Sequence, residues 1–191
     1  MNDSKEKFWS LVEPEQKKAQ AFCRKLKGNR DDGDDLFQDA LVTALVKFDT
    51  LRDEALFKPW LYRIIINKYK NRLRSHWFKK TTRLTKTIEQ SHPGIDPSPM
   101  YTARRRLEAA FEALNSEERA MVSLFELEGW NIAELANLFG KKEGAVKVKL
   151  SRCRKKMRHR LMKMNHSQKT ETVKTQKPKD EICVAGKLSK N

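Results

Sequence analysis

Apolar residues recur along this chain at steps of three and four, not two, as far as about Met164. That period gathers them onto single helix faces and predicts an all-α protein without a sheet. Phe8, Leu11, Ala19, Phe22, Cys23 and Leu26 mark a first helical region, with a break expected at Pro14. An aspartate-dense turn is expected over residues 29–35. The next helix, Asp34 to Lys47, has Leu36, Phe37, Ala40, Leu41, Ala44 and Phe48 on its inward side. Its outward side carries Asp35, Gln38, Asp39 and Val42. A loop over 51–55 leads into a segment, Leu56 to about Lys80, that contains no acidic residue. This segment has two apolar stripes: Phe57, Trp60, Leu61 and Ile64 on one, Tyr62, Ile66, Tyr69, Leu73 and Trp77 on the other. Arg63, Lys70 and Arg74 flank the second. Pro59 fits only in the first helical turn.

Residues 81–102, rich in prolines and polar residues, read as a linker. Helices are expected over 103–114 (Leu107, Ala110, Phe111, Leu114) and 117–128 (Met121, Leu124, Phe125), the second capped by Ser116. Then comes a short helix with Ile132, Leu135, Ala136 and Phe139 at helical spacing, Asn131 as its N-cap and Gly140 as the left-handed residue that ends it. A longer helix from about Gly144 places Val146, Leu150, Cys153, Met157 and Leu161 along one face. Short helix, glycine turn and amphipathic helix make a helix-turn-helix. After Met164 the chain is polar and lysine-rich, a composition expected to remain disordered. The pattern thus divides the chain into two small helical domains, 1–80 and 103–163, joined by a linker over 81–102 and followed by a tail over 164–191.

At roughly 100° per residue, Lys147, Val148, Ser151, Arg152, Lys155 and Arg158 face away from the apolar stripe of the last helix. A recognition helix turns such a face into the DNA major groove. Lys147 and Arg152 are suited to guanine and Val148 to a thymine methyl. Arg154, Lys155, Lys156 and Arg158 are better placed for phosphates. On the long acid-free segment, rings interleaved with cations have the chemistry of single-strand binding, although two buried core stripes would explain the same pattern.

Charge agrees with a polyanionic partner: the formal net charge is +16 over 191 residues. A membrane surface would also attract that charge, but no apolar run approaches bilayer length and the N-terminus lacks a signal-peptide core. A cytoplasmic protein without membrane insertion is expected. Cys23, Cys153 and Cys183 have no metal-ligand spacing, and reduced thiols are expected. The run Asp31, Asp32, Gly33, Asp34, Asp35 lacks the alternating ligands and closing glutamate of a calcium loop. No cofactor or metal is expected.

Taken in order, these segments resemble the bacterial RNA polymerase sigma factors of the extracytoplasmic-function (ECF) type, over about residues 15 to 162. Asp34-Asp35-Leu36-Phe37-Gln38-Asp39 is similar to that family's acidic region 2.2 motif. The resemblance implies that Asp34, Asp35, Gln38 and Asp39 dock on the coiled coil of the polymerase β′ clamp. Phe57, Trp60-Leu61-Tyr62-Arg63-Ile64 and Asn67 resemble the promoter-melting helix. By that likeness Leu51 and Arg52 in the preceding loop, with Tyr62, Arg63, Asn67, Lys70 and Arg74, contact the −10 element. Gly129-Trp130, Ile132-Ala133-Glu134-Leu135-Ala136, Gly144-Ala145-Val146-Lys147 and Arg152-Cys153-Arg154 resemble region 4.2. The −35 set is then Lys142, Lys147, Val148, Ser151, Arg152, Arg154 and Lys155.

The resemblance also implies core polymerase as partner, with the β flap as a further contact, promoter DNA as ligand, nucleoid association when polymerase-bound, and an anti-sigma factor as controller. Val148 and Lys149 stand where many relatives have Ser and Arg, so a −35 sequence does not carry over. The residues leave two other classes open. One is a stand-alone helix-turn-helix regulator, which would dimerise on a palindromic site. The other is a nucleic-acid-processing enzyme, with the aspartate cluster, His76 and His92 as its only support; no enzymatic activity is expected.

Overall fold

In a computed structural model the described residues are 2–82 and 99–174, with side-chain surroundings at 4–73, 102, 103 and 105–166. Among them every regular element is a helix: α1 (Asn2–Lys27), α2 (Arg30–Val46), α3 (Phe57–Thr82), α4 (Pro99–Glu112), α5 (Ser116–Leu127), α6 (Ile132–Phe139) and α7 (Glu143–Lys174). Short 3-10 turns at Phe48–Thr50 and Glu54–Leu56 bracket the loop ahead of α3. None of the described helices is long and apolar enough to cross a membrane.

The first helix is continuous through Pro14, against the expected break. A proline in a helix interior costs about 3 kcal/mol. Phe8, Val12, Ala19 and Phe22 are fully buried on either side of it, and each large apolar side chain returns about 1.5–3 kcal/mol on burial. Burial wins.

The expected aspartate turn is instead the first turn of α2, which starts at Arg30 behind an Asn29 cap whose side chain accepts from the Asp32 amide. Acidic residues in that turn also suit the helix dipole. Gly33 is buried where α2 crosses α1. A Cβ there would stand 2.7 Å from the Arg24 amide nitrogen and closer still to its Cα.

In the C-terminal half, Asn115 rather than Ser116 caps α5, in a reciprocal box with Glu118. The same box recurs at Asn131 and Glu134 ahead of α6, and Gly140 ends that helix in the left-handed region at φ 62°. Both Asn-x-x-Glu boxes satisfy amides that open helix ends would leave unpaired. Leu107, expected inward, is exposed. The last helix runs on to Lys174, ten residues beyond the point where a disordered tail was expected. Residues 83–98 of the expected linker and 175–191 of the tail lie outside the described residues.

Helix α2 packs on α1 and α3, and α7 on α4, α5 and α6. The two halves also meet: α3 lies against α5 and α6, and α1 against α5. Cys23 and Cys153 are both buried, one in each half, as free thiols.

Gly33→Ala tests the α1–α2 crossing. In an open helix the change would gain about 1 kcal/mol; here overlap with backbone is expected to reverse the sign, with a net loss of about 1–3 kcal/mol in denaturant unfolding.

Candidate nucleic-acid interface

The helix-turn-helix is built as its sequence dictates. Val146, Leu150 and Cys153 are buried and Met157 is half-buried, which fixes the rotation of α7 about its axis. Lys142, Lys147, Val148, Ser151, Arg152 and Lys155 consequently all face solvent, Val148 at 51% exposure. Arg154 is exposed but engaged: its guanidinium donates to Glu126 at 2.7 Å and lies over the Phe125 ring at 5.5 Å. Lys156 is held by Glu118 at 2.7 Å.

On α3 the structure separates the two stripes. Phe57 and Leu61 are buried in the N-terminal core, where Phe57 meets Phe8 and Phe48 edge-on. The second stripe faces the C-terminal half. Tyr62, 1% exposed, sits between Phe22 and Trp130, with 4.9 Å between its ring centre and that of Trp130. Lys58 lies over the other ring system of that contact, 4.8 Å from the Trp130 centroid. Ile66 lines a crevice with Leu138 and Phe139, and Arg63 donates to the Asn137 carbonyl at 3.1 Å. Of the −10 set, Leu51 is half-buried and Arg52 and Asn67 are exposed. The Arg74 side chain lies outside the described residues, as does that of Trp77.

Lys70 is bound. It donates to Glu117 at 3.2 Å, and the same carboxyl accepts from Lys149 at 2.5 Å and lies 3.5 Å from Lys141. Burial pushes the Glu117 carboxyl up, but the hydrogen bonds from Lys149 and Lys70 outweigh it and hold the group down at about 2.

The acidic patch of α2 is less uniform than its sequence. Asp34 turns inward, taking Arg24 at 2.6 Å and Gln20 at 2.9 Å, and the Arg24 hydrogen bond lowers its carboxyl. Asp39 is paired across to α3, with Lys68 at 2.9 Å and Arg72 at 3.2 Å, and the Lys68 hydrogen bond lowers it in turn. Asp35 and Gln38 are exposed, with Val42 on the same face at 64% exposure.

Two helical units, one presenting a basic recognition helix and the other a helix of rings and cations, define a DNA-reading transcription factor. The Sigma-70 region 2 family model matches residues 11–79 and the Sigma-70 region 4 model residues 104–157. The ECF RNA polymerase sigma factor SigM of Mycobacterium tuberculosis is 30% identical over 135 residues, which cover 71% of this chain and 67% of that protein. SigF of Caulobacter vibrioides, another ECF sigma factor, is 30% identical over 141 residues, covering 73% and 76%. Among solved structures, the sigma factor RpoE of Bartonella quintana, in complex with the anti-sigma factor NepR, superposes with a TM-score of 0.61 at 23% identity, covering 85% of this chain and 98% of that one. The chain belongs to the ECF-type sigma factors of the sigma-70 family. It directs transcription initiation through regions 2 and 4 and is not an enzyme.

The sequence did not single out Glu117, and its contacts explain why: Lys70 and Lys149 are 47 and 32 residues away. No local spacing marks such a group. Its ion pairs contribute stability in full above the ordinary carboxyl value of 4.5, and lose it as pH falls from there through about 2. The stability difference between wild type and Glu117→Gln, measured by urea unfolding, is therefore expected to be constant from pH 7 to 5 and to shrink steadily below pH 4.5. A difference that persists unchanged at pH 2 would mean the ion pairs do not carry it.

Proposed function

We propose a division of labour among three surfaces of this sigma factor. The exposed face of α2, centred on Asp35 and Gln38 with Asp39 at its edge, docks on the coiled coil of the polymerase β′ clamp. Helix α3 and its preceding loop capture the −10 strand through Leu51, Arg52, Tyr62, Arg63, Asn67, Lys70 and Arg74. The face of α7 bearing Lys147, Val148, Ser151 and Arg152 reads the −35 duplex, with Lys142, Arg154 and Lys155 towards phosphates, while the C-terminal unit meets the β flap. The observation that carries this reading is the exposure of Lys147, Val148, Ser151 and Arg152 together on one side of α7. Capturing a strand without ATP requires unstacked bases to be held, at a cost of a few kcal/mol that stacking and phosphate contacts offset. Tyr62 and Lys70 supply that chemistry only after the C-terminal half has moved off them.

An anti-sigma factor is part of the proposal. The similar RpoE was solved with NepR, and CnrH with the cytosolic domain of CnrY. Such a partner would act on this chain in the cytoplasm, where polymerase and promoter are.

Run-off transcription with core polymerase from the source organism, on fragmented genomic DNA, is expected to give new discrete start sites only when this protein is added. Asp35→Ala with Asp39→Ala is expected to weaken core binding about tenfold or more, roughly 1.4 kcal/mol, with helix content unchanged. Equal affinity would remove the dock. Arg152→Ala is expected to cost about 1–3 kcal/mol on the preferred −35 sequence and little on others. A uniform loss across sequences would reassign Arg152 to a phosphate.

A further inference from the structure

The cations of the helix-turn-helix fall into two sets. Lys142, Lys147, Arg152 and Lys155 are exposed, and none of them has an ion pair among the described residues. Lys141, Lys149 and Lys156 are held by two neighbouring carboxylates in the first turn of α5. Glu117 accepts from Lys149 at 2.5 Å and lies 3.5 Å from Lys141, and Glu118 accepts from Lys156 at 2.7 Å. Lys149 and Lys156 are seven residues apart and so share one edge of α7. That edge borders the reading face, because Lys156 follows Arg152 by four residues and stands about 40° round the helix from it. We propose that Glu117 and Glu118 are positioning residues for −35 recognition, which cancel the cations along one edge of the helix-turn-helix and so confine the duplex to the reading face.

The hold on Lys156 is firm because the pair is lopsided. Glu118 keeps 9% of its side-chain surface exposed, against 49% for Lys156. One of its oxygens also accepts from the Asn115 amide at 3.0 Å. Burial pushes the Glu118 carboxyl up, but the hydrogen bonds from Lys156 and the Asn115 amide outweigh it and lower it, so the group stays charged. A lysine that left it for a phosphate would strand a buried charge. Lys156 is thus withdrawn, although its place on the helix suits it to a phosphate. Phosphate attraction acts on any duplex and carries no sequence information. At the preferred site base contacts fix the orientation of the duplex; on any other sequence the duplex rolls towards whichever edge attracts it. Each cation cancelled beside the reading face therefore lowers non-specific binding more than specific binding. That gain in selectivity rests on the −35 reading of α7; the cancellation of Lys156 does not.

The test uses the full chain and two short duplexes, one with the −35 sequence found upstream of the run-off starts and one with that sequence scrambled. Glu118→Gln keeps the cap, since glutamine also closes the box, but releases Lys156. On the scrambled duplex it is expected to steepen the slope of log affinity against log salt by about 0.9, and to bind about fivefold tighter at about 0.1 M salt. The ratio of affinities for the two duplexes is expected to fall about threefold. Lys156→Gln alone is expected to keep the wild-type slope, and Glu118→Gln combined with Lys156→Gln to restore it. A weakened cap would instead lower affinity for both duplexes, with no reversal at Lys156. Glu117→Gln, made in a Lys70→Gln background to remove the α3 lysine on the same carboxyl, is expected to steepen the slope in the same way. An unchanged slope in Glu118→Gln would overturn the cancellation. A steeper slope with an unchanged ratio would keep the cancellation and overturn its part in selectivity. A wild type that binds both duplexes alike would remove the −35 reading itself.

Discussion

A helix with two apolar faces needs two partners, and α3 is such a helix. Its Phe57 and Leu61 side is buried in the N-terminal core, while Tyr62, Ile66 and Tyr69 form a second buried side. Leaving three large side chains in water forfeits about 1.5–3 kcal/mol each. The N-terminal half therefore cannot stand alone at low free energy with that stripe open. In the isolated chain the C-terminal half provides the cover through Trp130, Leu138 and Phe139. Under the proposed −10 role, unstacked bases would offer the same service in a transcription complex. Core packing and strand capture, which composition could not separate, would then be two occupancies of one surface.

What was legible in the sequence follows the range of the forces involved. The helix-turn-helix was readable because its determinants are local: Asn131 caps, Gly140 terminates, and Val146, Leu150 and Cys153 repeat at helical spacing. Local rules failed where distant packing outbid them. Pro14 should end a helix, but Phe8 and Phe22 bury on both sides of it. Residues 29–35 have turn composition, yet Asn29 caps them and Gly33 seats them on Arg24, so they are helical. The pairing of Asp34 was hidden for the same reason, since its partner Arg24 lies ten residues earlier on another helix. The closure of one half on the other was invisible, because it depends on contacts such as Lys25 to Glu128, 103 residues apart.

Net charge is a poor guide to where this protein meets nucleic acid. Many of its cations are already answered from within. Lys68 and Arg72 pair with Asp39, Lys70 and Lys149 with Glu117, Lys156 with Glu118 and Arg160 with Glu112. Asp39 links two proposed surfaces, since an acid that leaves Lys68 and Arg72 to meet polymerase would release both cations on the promoter-facing helix. Docking and DNA capture would then be coupled through one carboxylate, with no change of fold.

The buried stripe of α7 settles a phase angle as well as a packing energy. Val146 and Leu150 lock the first turns of that helix, and Cys153 and Met157 carry the same orientation onward. Each residue added to a helix rotates everything beyond it by about 100°. One residue inserted between Gly140 and Glu143 would fall in the turn, where the apolar stripe could reseat and restore the exposed face. One inserted between Val148 and Ser151 would swing Arg152 into the buried place of Cys153 while Lys147 stayed outside. The reading head thus behaves as a key cut on a rotating shaft: its teeth can be exchanged one at a time, but their count is fixed.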